Sequence, residues 1–178
     1  LGLVGGAILD LYSSGLALVS IGVPIKRHQA AIIDSVIMLA GTIYIVWVAD
    51  NFFYPFQGFL ITLGVPVAVW SSIFVADVVM RKKAYSEKDL FESNGIYGSV
   101  NNGSIILMGV GSIIGWGFVT NTFAPWLEWQ GYLLRFIGGK DGAWAYSNLG
   151  VIFALLIGFF GHIILSARKI KAQESLLS

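Results

Sequence analysis

Five long apolar stretches dominate the chain, at residues 3–23, 30–49, 56–80, 104–123 and 149–167. Each is close to the roughly 20 residues that a helix needs to cross a bilayer at 1.5 Å rise per residue. Polar or helix-breaking groups punctuate them. Pro24 with Lys26, Arg27 and His28 follows the first, and Asp50 with Asn51 the second. Arg81, Lys82 and Lys83 follow the third, and Asn121 and Pro125 close the fourth. Arg168 and Lys169 follow the fifth. The pattern predicts an all-α integral membrane protein with five transmembrane helices and no soluble linker or second domain.

Composition supports that reading. Hydrophobic residues make up 56% of the 178 positions and charged residues 12%, with mean hydropathy +0.77. A soluble domain carries about 25% charge. The net charge of +1 supplies no basic field, which argues against a nucleic-acid partner. There is no cysteine, so disulfides, thiolate metal sites and cysteine nucleophiles are excluded. His28 and His162 lie far apart and form no ligand pair, and no cofactor or enzymatic chemistry is expected. An apolar run is under way at Leu1 without a cationic segment before it, unlike a signal peptide. The expectation is a piece of a longer membrane protein.

Basic residues give the orientation. Lys26, Arg27, Arg81, Lys82, Lys83, Lys88, Arg168, Lys169 and Lys171 follow spans one, three and five, whereas the other side holds Arg135 and Lys140. The excess belongs in the cytoplasm. A multi-pass protein of the cytoplasmic membrane is expected, with its C-terminus inside and, for a parent that begins in the cytoplasm, an odd number of helices upstream. The external loop 124–148 carries Trp126, Trp129, Tyr132, Trp144 and Tyr146, and its part near 125–136 is expected to lie along the interface.

Asp10 is the sharpest chemical feature. A carboxylate deep in an apolar span costs about 2.5–3.5 kcal/mol on insertion scales, so it should face a water-filled cavity or a partner. Gly2, Gly6, Ser13, Ser14 and Ala17 share its helical face, a small and polar stripe that could equally serve helix packing. Span three holds Thr62, Gly64 and Pro66, and proline frees a carbonyl and favours a bend, so this segment is a candidate hinge or gate, or a static kink of the kind common in membrane helices. Asp77 lies four residues before Arg81, and Asp34 follows Lys26 to His28. An ion pair near a helix end explains each. His162, near the inner end of span five, reads as a packed or snorkelling histidine. The run from Gly109 to Gly115 lacks the dinucleotide spacing, and Gly111 with Gly115 reads as a close helix contact.

Three strings carry a resemblance. Asp10-Leu11-Tyr12-Ser13-Ser14-Gly15-Leu16-Ala17-Leu18 resembles the eighth transmembrane helix of bacterial cytosine and purine permeases. Ala76-Asp77-Val78-Val79-Met80-Arg81-Lys82-Lys83-Ala84-Tyr85, followed by Asp89-Leu90-Phe91, is similar to the segment after their tenth helix. Trp129-Gln130-Gly131-Tyr132-Leu133-Leu134 is similar to their last external loop. In order and spacing the whole chain resembles the nucleobase–cation symporter family.

That resemblance implies a twelve-helix transporter in which ten helices form two inverted five-helix repeats. Residues 1–178 would be its C-terminal portion, helices eight to twelve, with the N-terminal helices of the same chain missing. It implies a cytosine- or purine-like base as substrate and a coupling cation as partner. Asp10 falls where the family has a substrate-contacting asparagine. The hydroxyl pair of sodium-coupled relatives falls near Val4 and Gly5, which have no side-chain oxygen, so a proton is expected rather than sodium, and Asp10, with Ser13 and Ser14, is expected to bind the substrate or the coupling proton. Span three, with Thr62, Gly64 and Pro66, falls on the gate helix. The competing expectation is a non-transporting membrane scaffold or subunit, with Asp10 paired to a partner helix.

Overall fold

The computed structural model describes residues 2–20, 25–49, 51–92 and 94–177. The expected stop of span one at Pro24, and Asp50 in the stop of span two, lie outside the described residues. The described residues form helices and no strand. Three helices are long and apolar enough to cross a membrane, Arg27–Trp47, Phe53–Met80 and Leu149–Ser175. The chain is an all-α membrane protein.

It divides into two compact units, Leu1–Pro55 and Phe56–Ser178. In the first, α1 (Gly2–Ser20) packs on α2 (Arg27–Trp47). The two backbones approach closely where Gly15 of α1 meets Ala31 and the Arg27 carbonyl. Gln29 accepts a hydrogen bond from the Lys26 N–H at 2.9 Å and caps the start of α2. The Arg27 guanidinium lies over the Tyr12 ring, 4.2 Å from its centroid.

The second unit is built on α3 (Phe53–Met80, its residues from Phe56 onward), the short α4 (Glu87–Leu90), α5 (Asn102–Gly117) and α6 (Leu149–Ser175). Val65, Val69, Ile73, Leu107, Val119 and Ala154 form its core. Glycines let α3, α5 and α6 touch. A methyl group on Gly111 would meet Val69 at 2.9 Å, and one on Gly158 would overlap Ser72 and the Val69 carbonyl. Gly115 sits against Val65 and Gly150. The Gly111 and Gly115 contact expected from spacing is present, with α3 and α6 as the partners.

Pro66 lies inside α3, which continues through it. α6 runs beyond 167 to Ser175 because its polar end has partners: Gln173 donates to the Ile96 carbonyl, and Glu174 accepts from the N–H groups of Lys82 and Lys83.

Span four differs from expectation. Its helix is Asn102–Gly117 and not 104–123. At 1.5 Å per residue its 16 residues cover about 24 Å. The helix stops where the loop supplies partners for its last carbonyls. Gly131 N–H donates to the Trp116 carbonyl at 2.8 Å, Leu133 N–H to Gly117 at 2.8 Å and Gly150 N–H to Phe118 at 3.1 Å. Apolarity alone extends to Phe123, but the chain after Gly117 is a folded wall, with Val119, Thr120 and Asn121 buried.

The loop forms two 3-10 turns, Pro125–Leu127 and Leu134–Phe136. Leu127, Gln130 and Leu134 are buried, while Trp126, Trp129 and Phe136 are exposed. Segment 125–136 is thus two-faced, one side buried and the other exposed.

Candidate functional site

Asp10, Ser13 and Ser14 share one face of α1 through their spacing. Asp10 and Ser13 are exposed and Ser14 is half-buried. No hydrogen bond or ion pair engages Asp10 among the described residues. The nearby cavity of about 400 Å³ is lined by Leu11, Tyr12, Gly15, Arg27, His28 and Ala31, and not by these three. Among the described residues the carboxylate is thus exposed on an apolar helix.

Thr62, Gly64 and Pro66 occupy the first half of α3, and Thr62 is the centre of a polar knot. Proline at position 66 has no N–H, so the Thr62 carbonyl loses its helical partner. Trp116 Nε1–H donates to that carbonyl at 2.8 Å. Gln130 Nε2–H donates to Thr62 Oγ1 at 2.8 Å, and Thr62 Oγ1–H donates to the Gly58 carbonyl at 2.8 Å. Asn121 Nδ2–H reaches the same Gly58 carbonyl at 2.9 Å. Gln130 is fully buried and Asn121 nearly so. The candidate hinge is thereby fastened to α5 and to the loop. Gly64 has nothing within 4 Å of where a methyl group would sit and takes no part in the knot.

A second polar cluster lies at the other end of α3. Arg81 Nε–H donates to Asp77 Oδ2 at 2.7 Å, the helical ion pair that the spacing suggests. Three further groups converge on it. Tyr85 donates its hydroxyl to Asp77, His162 Nε2 lies 3.1 Å from Asp77 Oδ1, and Arg81 Nη2–H donates to Gln173 Oε1 at 3.0 Å. The Arg81 guanidinium centre is 4.7 Å from the Tyr85 ring centroid and 5.1 Å from that of Tyr97. Burial disfavours the Arg81 charge, but the bonded Asp77 carboxylate outweighs it and raises the guanidinium further above its ordinary value. Burial, then donation to the Asp77 carboxylate, pushes the Tyr85 phenol up.

His162 is buried, with Nδ1 3.3 Å from Ser166 Oγ and 3.5 Å from Ser104 Oγ. It is packed, as the sequence suggests, but onto a carboxylate. Two cavities flank the pair. One of about 260 Å³ is lined by Trp70, Phe74, Asp77, Asn101, Ser104 and His162 among others. The other, about 190 Å³, includes Asp77, Arg81, Asn101, Ser166, Lys169 and Gln173. Sequence reasoning did not find Trp116, Asn121, Gln130 or His162 as polar partners. The available signal was one of residue type, because an amide or imidazole in an apolar chain must find a partner.

No family model matches the chain, and neither a curated protein nor a solved structure matches it.

Proposed function

We propose that the chain is the C-terminal portion of a secondary transporter of the nucleobase–cation symporter type, carrying a cytosine- or purine-like base across the cytoplasmic membrane with a proton. In this reading it crosses the bilayer five times as part of a twelve-helix inverted repeat. α1, of 19 residues, and α5, of 16, supply the crossings beyond the three long helices. Its C-terminus is cytoplasmic, on the side of the basic excess.

The observation that carries the proposal is Asp10, an open carboxylate on an otherwise apolar helix with Ser13 and Ser14 on the same face. Such a group marks a substrate or ion path by default. A nucleobase edge offers paired donors and acceptors, and a carboxylate with two hydroxyls can meet them. The three quoted strings name the substrate class. α3, bearing Thr62, Gly64 and Pro66, is the gate of an alternating-access cycle, and the knot at Thr62 must loosen for it to move. Val4 and Gly5 lack the oxygen ligands that sodium needs, which favours the proton.

Uptake of labelled cytosine, adenine, guanine and hypoxanthine into proteoliposomes holding the full-length chain tests this. Saturable uptake competed by unlabelled base is expected. A well-inserted protein without uptake of any base supports the scaffold reading, in which Asp10 meets a partner helix.

A further inference from the structure

His162 stands at a junction. Nε2 rests on Asp77 Oδ1 at 3.1 Å, while Nδ1 faces two hydroxyls, Ser166 at 3.3 Å and Ser104 at 3.5 Å. Those hydroxyls belong to different cavities. Ser104 lines the space of about 260 Å³ that extends along α3 toward Trp70 and along α5 toward Met108. Ser166 lines the space of about 190 Å³ that extends past Arg81 to Tyr85, Lys169 and Gln173. Given the direction of each helix, the first cavity lies on the loop 124–148 side of His162 and the second on the side of the C-terminus.

We propose that His162 is a proton-binding relay between these two cavities, with Nε2–H anchored on Asp77 and Nδ1 taking a proton past Ser104 and releasing it past Ser166. As the site of the coupling proton it rests on the transporter reading above, and it leaves Asp10 to the substrate. In the neutral ring Nε2–H donates to the carboxylate and Nδ1 accepts from a serine hydroxyl. When Nδ1 gains a proton, either hydroxyl rotates and accepts from the new N–H. Neither state leaves a ring nitrogen unpaired, which is what a reversible buried site requires.

The charged groups around the ring are Asp77 on α3, Arg81 directly after that helix and Lys169 on α6, and Lys169 lines the cavity through which the proton leaves. Tyr85 and Tyr97 from the connecting segment, Asn101 and Ser104 at the start of α5, and Gln173 on α6 complete the polar surroundings. The same carboxylate also accepts from Arg81 and Tyr85.

The test uses the full-length chain in lipid with its histidines labelled at both ring nitrogens. The resonance that disappears in His162→Gln belongs to His162. If that variant does not fold, Ser166→Ala and Ser104→Ala identify the same resonance by displacing it. Nitrogen NMR from about pH 8 to about pH 5, the span in which histidines commonly change charge, should show Nδ1 gaining a proton. Ser166→Ala should move the midpoint to lower pH, because the charged ring loses an acceptor. For one proton per base, a one-unit gradient supports about tenfold accumulation. His162→Gln should abolish that accumulation while exchange of labelled base persists. A His162 resonance that does not move over the range overturns the relay, whether or not base is transported. Titration of His162 in a protein that takes up no base keeps the proton site and overturns the nucleobase reading and the coupling role with it.

Discussion

The indole N–H of Trp116 donates to the Thr62 carbonyl at 2.8 Å, the carbonyl that Pro66 strips of its helical partner. A proline that would otherwise weaken α3 thus becomes the point at which α5 holds it. At its other end α3 is held again, through Asp77 to His162 and through Arg81 to Gln173. In the present conformation α3, α5 and α6 are joined by polar contacts near both ends and by glycine-lined packing between.

The relationship predicts a specific coupling. Trp116→Phe leaves the Thr62 carbonyl without its donor and should cost about 1–3 kcal/mol. Pro66→Ala restores an N–H at position 66 that can reach that carbonyl. In a double-mutant cycle read by denaturant or thermal unfolding in detergent, Trp116→Phe should cost clearly less in the Pro66→Ala background. Strict additivity would mean that the indole hydrogen bond does not compensate for the proline.

Gly158→Ala should destabilise the second unit by about 1–3 kcal/mol, since the methyl overlaps Ser72 and the Val69 carbonyl. Gly109→Ala is the matched control, because nothing lies within 4 Å of that position. It should be neutral or stabilising by up to about 1 kcal/mol. Equal unfolding temperatures for the two variants would contradict the close contact of α3 and α6.

Glu174 links the ends of α6 and α3. The N–H groups of Lys82 and Lys83 hold its carboxyl below its ordinary value of 4.5. A depressed folded value means that the contribution is present above pH 4.5 and is lost as the pH falls further, through the folded value. Glu174→Gln should lose that acid-dependent step and leave the rest of the pH profile unchanged. An unaltered acid limb would show that these contacts do not persist in the membrane.

Much of this was legible in the sequence, for physical reasons. Apolar length located α2, α3 and α6, and the four-residue spacing of Asp77 and Arg81 gave their ion pair. Hydropathy could not find the end of α5 at Gly117, because Phe118 and Val119 are as apolar as the helix before them. What stops the helix is a set of N–H groups from Gly131, Leu133 and Gly150. His162 and Asp77 are separated by 85 positions, and nothing local in either sequence context pairs them. Asp10 was singled out by its type and depth alone, and no hydrogen bond or ion pair engages it among the described residues.

Asp10→Asn separates the two carboxylate roles. If Asp10 contacts the base and His162 takes the proton, losing one charge-assisted hydrogen bond of about 1.5 kcal/mol should raise KM roughly tenfold. Accumulation driven by a pH gradient should remain at saturating base. The opposite pattern, lost accumulation with intact exchange, would return the coupling proton to Asp10.

The most direct measurement is accumulation of labelled base in proteoliposomes holding the full-length chain, with an imposed pH gradient and with sodium replaced by choline. The account predicts saturable accumulation of at least one cytosine- or purine-like base that follows the pH gradient and survives without sodium. Absence of accumulation for every base, or strict dependence on sodium, would contradict it.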